Sequence, residues 1–254
     1  SIVGTTSISS HSSPSDAPAQ GSTTNIDTGD RRLSNAVYRN GTIWCANTIS
    51  FGGRSAVRWY RVVAANGVLS MTGTIDDPSL WYYYGGIAVN ENDDMVIGFS
   101  GSNSGQFVGC YYTGRRSDDP AGQTAPVQLL RSGNASYTLV DGIGRNRWGD
   151  YSMSTIDPND GLTFWTVQEY AHSTNNWGTQ IASFAYSFPP ENDMCVNAIN
   201  VPPGQTAFGN HDATLDGPLE PDCSHLGAGA DVWFRTQASD CLLYTSPSPR
   251  DRYI

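Results

Sequence analysis

The sequence predicts an all-β chain: an incomplete β-propeller of about three four-stranded blades, followed by the start of a β-sandwich domain. Three observations lead there. Helix formers are scarce while Gly, Ser, Thr, Asn and Tyr abound, a balance that suits short strands joined by many turns. One strand–turn–strand–loop–strand pattern occurs three times. Each occurrence carries its Asn/Asp/Gly turn at the same place.

Residues 1–32 are poor in bulky side chains and rich in turn formers, and read as an extended or loop segment. A partial propeller is expected over 33–188. Its first unit is "NAVYRNGTIWCANT" then "SAVRWYRVVA", and its second is "GIAVNENDDMVIGFS" then "QFVGCYYTG". The third is "SMSTIDPNDGLTFWTVQEYA" then "GTQIASFAYS". The turns at Asn40-Gly41, Asn92-Asp93-Asp94 and Asn159-Asp160-Gly161 supply the positive φ angles that tight hairpins need. Fourth strands fit at "GVLSMTGTI" and "PVQLLRS". The intervals between equivalent turns match blades of about 40–50 residues lengthened by loops. A ring closes with about four to eight blades, so at least one would lie elsewhere. A β-sandwich built from the same hairpins is the alternative.

A partial β-sandwich module is expected over 189–240, opening at a Pro-Pro hinge, with short strands at "NAINV", "TAFGNH" and "DVWFRT". That is too little chain to close a sandwich. Residues 241–254 resemble the translated read-through of a sequencing adaptor and carry no weight in the fold. With no initiator Met, Ser1 opens as a fragment would, and a missing leader does not argue against secretion.

Charge and composition exclude several functions. A net charge of −10 repels phosphate backbones, which argues against nucleic acid and anionic membrane surfaces as partners. No run is long enough to span a membrane. All 14 basic residues are Arg, so Schiff-base and phosphate-loop lysines are absent. An acidic, lysine-free surface rich in Ser, Thr and Asn fits a secreted protein. No G-x-S-x-G elbow and no dinucleotide fingerprint occur.

The stretches "AVRWYRV", "GGIAVNENDDMVIGFSGS", "YYTGR", "RNRWGDYSMSTIDPNDGLTFWTVQEYA" and "WGTQIASF" together resemble large secreted bacterial proteins with a sialidase-like, BNR-type propeller. "ENDMCVNAINVPPGQTAFGNHDATLDG" and "DVWF" resemble the front half of the β-sandwich modules appended to such proteins. "STIDPNDGLTFW" approaches the family's Asp-box, with Gly161, Thr163 and Trp165 near their places. Asn159 stands at the Asp position and the Trp is shifted by one. That box is a structural turn. The resemblance implies a site in which arginines hold a carboxylate, a Tyr with a neighbouring Glu acts as nucleophile, and an Asp serves as acid/base. Arg58, Arg145, Arg147, Asp150, Glu169 and Tyr170 are the residues that would supply it. Read from the residues alone, Arg147-Trp148 and Glu169-Tyr170 are packing and rim pairs.

Other constellations are weaker. Asp157, Asn159 and Asp160 place oxygen ligands densely enough for a structural calcium, although such turns need no metal. No other cofactor is expected. Cys195 and Cys223 are read as a disulfide; a zinc site with His211 and His225 matches no common spacing. Cys45 and Cys110 are small core residues or a second bridge. Trp81, Tyr82, Tyr83 and Tyr84 could stack on a sugar ring or protein partner, or plug a blade interface. The functional expectation is extracellular recognition of a glycan or protein by a propeller face. The alternatives are a sialidase-like exo-glycosidase and a purely structural or adhesive repeat.

Overall fold

The computed structural model describes residues 4–149, 152–186, 198–201 and 234–235. The chain divides into two compact units, Ser1–Tyr186 and Ser187–Ile254. The described residues form an all-β structure without helices. In the second unit they form a two-residue parallel pairing of Ile199–Asn200 with Phe234–Arg235. The proposed Cys195–Cys223 bridge, the partial sandwich over most of 189–240 and the 241–254 segment lie outside the described residues.

The first unit contains three antiparallel meanders. Sheet I runs β1 (Leu33–Arg39), β2 (Thr42–Phe51), β3 (Arg54–Val63) and β4 (Leu69–Ile75), each strand beside the next. Sheet II repeats this with β5 (Trp81–Val89), β6 (Met95–Asn103), β7 (Gln106–Arg115) and β8 (Gln128–Arg131). Sheet III has β9 (Met153–Ile156), β10 (Phe164–Ser173) and β11 (Asn176–Phe184). None of the sheets closes on itself as a barrel. The strands expected at "GVLSMTGTI" and "PVQLLRS" are β4 and β8.

The three repeated turns each join the first and second strands of a sheet. Asn40 and Gly41 have φ of 45° and 75°, Asp93 has 63° and Gly161 has 67°. These turns also touch one another. The Asn40 amide donates to the Glu91 carbonyl at 2.8 Å, and the Glu91 N–H donates to the Gly161 carbonyl at 3.3 Å. Arg61 adds an ion pair with Asp93 at 2.8 Å.

Alternation along the strands decides which face is buried. Trp44, Ala46, Val57 and Trp59 of sheet I meet Tyr82, Ile87, Val89, Ile97 and Phe99 of sheet II. The opposite face of sheet II brings Ala88 and Val96 to Phe164, Ile156 and Phe184 of sheet III. Sheet II is therefore covered on both faces, and each fully buried large side chain there contributes about 1.5–3 kcal/mol. Cys45 and Cys110 are free and buried within this framework, and burial pushes the Cys110 thiol up to about 12.

The N-terminal segment is irregular, as its composition suggests, yet it is not separate from the sheets. Ala17, Ala19 and Ile26 are buried with Tyr83, Val108, Tyr137, Trp148 and Ala171 in a third cluster at one end of the sheets. Ala17 and Ile26 bridge each other, and Ile26 bridges Asn146. Further back, the Ser50 N–H donates to the Ser12 carbonyl, and His11 Nε2 lies 3.3 Å from the Tyr60 hydroxyl. The first unit thus begins before residue 33.

Burial first, then Arg58 and Arg31, hold the His11 imidazole below its ordinary pKa. The fold favours neutral His11, so its contribution is complete above about pH 6.5 and is lost as the pH falls through the lowered value. Thermal melts from about pH 7.5 to about pH 5 should therefore show a smaller acid-side loss for His11→Gln than for the natural chain. The outward face of sheet III exposes Met153 (56%), Trp177 (48%), Ile181 (57%) and Trp165 (39%). The double substitution Trp177→Ser/Ile181→Thr should shift the chain from aggregates toward monomer in sedimentation velocity.

Candidate functional site

Where the N-terminal segment meets the loop before β9, an open cavity of about 720 Å³ lies against sheets I and II. Asp27, Gly29, Asp30 and Arg32 form one wall; Arg145, Arg147, Trp148 and Gly149 form another. Thr48 of β2 and Tyr84 of β5 line it as well.

The wall "RNRW" is built by alternation. Asn146 and Trp148 turn inward and are buried, leaving Arg145 and Arg147 exposed. The Asn146 amide donates to the Tyr137 carbonyl at 2.8 Å and the Thr24 carbonyl at 3.2 Å, tying the loop to the N-terminal segment. The Trp148 indole N–H donates to Ser100 Oγ at 3.0 Å and its ring packs edge-on against Tyr137. Asp141 shapes the preceding turn by accepting the Arg145 and Ile143 N–H groups at 3.0 and 3.1 Å. Its other oxygen takes the Arg145 guanidinium at 2.9 and 3.1 Å. The backbone N–H of Arg145, foremost, keeps the Asp141 carboxyl below the usual carboxylate range. Asp30 is held low by its hydrogen bond from the Arg32 side chain.

Tyr84 is the least ordinary residue of the site. It has a φ of 57°, a left-handed conformation that costs a bulky residue about 1–3 kcal/mol and persists only where its surroundings enforce it. The enforcement is visible. The β5–β6 register shifts between Tyr83 and Gly86, so a bulge sits at Tyr84-Gly85. The Tyr84 N–H donates to Thr48 Oγ1 at 3.1 Å, and its hydroxyl donates to the Asp27 carbonyl at 3.1 Å. A methyl on Gly149 would overlap the Tyr84 ring, and one on Gly29 would come within 3.1 Å of it. Both glycines have positive φ.

The aromatic stretch before it divides by face. Tyr82 and Tyr83 are buried, Tyr82 in the sheet I–II core and Tyr83 with its hydroxyl 2.8 Å from Ser102 Oγ. Trp81 is half-buried under Arg54, at 5.8 Å. The stretch lies within β5 itself rather than ahead of it. As ligand-stacking residues Tyr82 and Tyr83 are thus corrected: they are core, and Tyr84 alone of the four lines the cavity.

The residues of the expected hydrolase site are not assembled as a group. Arg145 and Arg147 line the cavity, whereas Arg58 does not. Arg58 lies on β3, where its Nε donates to Thr74 Oγ1 at 3.0 Å and its guanidinium sits 6.0 Å over Phe51. Glu169 is buried and accepts the Gly149 N–H at 2.8 Å, which places it behind the arginine wall. Tyr170 has its hydroxyl 3.1 Å from His172 Nδ1 and its ring under Arg131, at 5.4 Å. Neighbours on a strand face opposite ways, so Glu169 and Tyr170 do not converge on one ligand. Asp150 lies outside the described residues.

Asp157, Asn159 and Asp160 form the β9–β10 turn. Asp157 accepts the Asn159 N–H and the Trp165 indole N–H at 2.9 and 3.0 Å, while Asp160 takes the Thr163 N–H at 2.9 Å and the Thr163 hydroxyl. These carboxylate oxygens are engaged within the turn. Among the described residues no group of three or more His, Cys, Asp or Glu is placed to hold a metal.

Asp27, Gly29, Arg32, Thr48 and Asp141 went unrecognised as site residues in the sequence. The segment that carries the first three has no strand periodicity, and its packing partner Asn146 is far away in the chain. No family model, curated protein or solved structure matches the chain.

Replacing Gly149 by Ala should disturb this site more than the fold, because the methyl displaces the Tyr84 ring in a backbone conformation already unfavourable to Ala. The expected result is a loss of about 1–3 kcal/mol in denaturant unfolding. Amide exchange should quicken first in 27–34 and 141–149.

Proposed function

We propose that the first unit is a recognition module whose cavity binds an extracellular ligand carrying an anionic group, with an acidic glycan as the best fit. The observation that carries this reading is the presence of Arg32, Arg145 and Arg147 on one mainly polar cavity, three guanidinium groups against the two carboxylates, Asp27 and Asp30, that line it with them, in a chain whose net charge is −10. A local concentration of guanidinium groups in an acidic protein favours carboxylate or sulfate over neutral surroundings. The open mouth and the aromatic wall from Tyr84 suit a sugar ring, which offers C–H faces for stacking and hydroxyls for polar walls.

In this reading the three sheets are successive blades of a β-propeller within a larger secreted protein. Support comes from the repeated meander, from the adjacency of first strands β1, β5 and β9, and from turns linked in series. The Asn35 side chain exchanges two hydrogen bonds with the Ile87 backbone, at 2.9 and 3.2 Å, and joins the first two of those strands. A Cβ on Gly86 would come within 3.2 Å of Met153, so the next two approach as closely. The apolar outward face of sheet III is what an internal blade would present to its neighbour. The acidic, lysine-free composition supports an extracellular setting.

The sialidase-like reading draws less support, because Arg58 and Tyr170 are directed elsewhere. A purely adhesive role is the reading in which the cavity arginines serve only their ion pairs, Arg32 with Asp30 and Arg145 with Asp141 and Asp27.

Isothermal titration of the full chain with methyl β-glucuronide and methyl β-glucoside separates these readings. Binding of the glucuronide at least about tenfold tighter, weakened by salt and by Arg145→Ala, is expected. Equal or absent binding of both, unaltered by Arg145→Ala, would count against the proposal.

A further inference from the structure

We propose that Tyr84 is the positioning residue of the cavity, a wedge whose strained backbone is retained for the shape of the binding site rather than for the stability of the fold. This deepens the recognition reading above and rests on it for its ligand.

The bulge in β5 does two things at once. Gly85 approaches sheet I so closely that a Cβ would meet Val57 at 2.5 Å, and Gly86 meets the β9 backbone on the other side. With both positions after it committed to packing, the strand turns Tyr84 out of the regular alternation and delivers its ring to the cavity. There the ring occupies the space left by two glycines, Gly29 on the Arg32 wall and Gly149 on the Arg145–Arg147 wall. Its hydroxyl fixes the first wall through the Asp27 carbonyl. The ring therefore stands between two arginine-bearing segments that are also joined by the Asp27 N–H donating to the Asn146 carbonyl at 2.9 Å and by an Arg145–Asp27 ion pair at 3.6 Å. Tyr83, next to it, shows what a purely structural tyrosine looks like here: buried, with negative φ and a hydroxyl satisfied within the sheet. Tyr84 also satisfies its hydroxyl and packs half-buried beside the cluster that holds Tyr83, but it does so at positive φ and with its ring on the cavity. A glycine at its position would relieve the backbone, and the natural sequence has glycine at the next two.

The test compares Tyr84→Gly and Tyr84→Phe in the full chain by thermal melting, by amide hydrogen exchange and by titration with methyl β-glucuronide. The wedge account expects Tyr84→Gly to melt within a few degrees of the natural chain. Exchange should rise in 27–34 and 145–149 while sheets I and II stay protected, and glucuronide affinity should fall at least about tenfold. Tyr84→Phe keeps the ring and should restore the affinity to within about threefold and most of the protection. Exchange is read without ligand, so a natural chain that fails to bind glucuronide sinks the recognition reading while the wedge is still judged by the two walls. Unchanged exchange at both walls in Tyr84→Gly overturns the wedge. So does a collapse of melting temperature with exchange rising evenly through the sheets, which would make Tyr84 an ordinary structural residue.

Discussion

The rest of the first unit depends on the double burial of sheet II. A sheet covered on one face can keep polar side chains on the other, but sheet II has a neighbour on each side and must satisfy both. In β5 and β6 it does so by turning the large residues toward sheet I and the smaller ones toward sheet III, while Tyr112 of β7 stacks on Phe184 of sheet III at 4.1 Å. Ile87, Val89 and Phe99 fill the wide interface with Trp44 and Trp59, while Ala88 and Val96 admit Phe164 on the narrow side. Gly98 belongs to the same economy, since a Cβ there would collide with Gln168 and Thr166 of β10.

The cavity is a by-product of that constraint. First strand β5 runs between sheets I and III, and the glycines it needs to pass between them open a bulge at Tyr84. The N-terminal segment and the loop over 132–149 then close over this end of the sheets, with Ile26, Tyr137 and Trp148 as a small core of their own. Arg145 and Arg147 reach the cavity because Asn146 and Trp148 are pinned beneath them. Site and fold are thus linked through a few residues, and the alternation of one short stretch sets the charge on one wall.

Turn chemistry and strand alternation are local, and they were legible in the sequence. Asn40-Gly41 and Asp160-Gly161 announce hairpins by residue type, and "SMSTIDPNDGLTFW" reads directly as strand, turn, strand. The four-strand order of sheets I and II follows from the same signals. The packing of the N-terminal segment was illegible because its contacts are long-range: nothing around Ile26 indicates that it bridges Asn146. The aromatic run Trp81–Tyr84 is open in the sequence between ligand stacking and interface packing because composition does not reveal which way a bulge turns each ring. Arg58 looked like a partner for Arg147 because sequence gives residue types without directions; β3 turns it toward Thr74 and Phe51.

If double burial is the governing constraint, Gly85 and Val57 must be energetically coupled across the sheet I–II interface. A double-mutant cycle of Gly85→Ala and Val57→Ala by denaturant unfolding measures this directly. The account predicts that Gly85→Ala alone costs about 1–3 kcal/mol and that Val57→Ala recovers at least about 1 kcal/mol of it, since the shortened side chain makes room for the new methyl. Costs that add to within about 0.5 kcal/mol would contradict it, because the two sheets would then not be in contact at β5 as described.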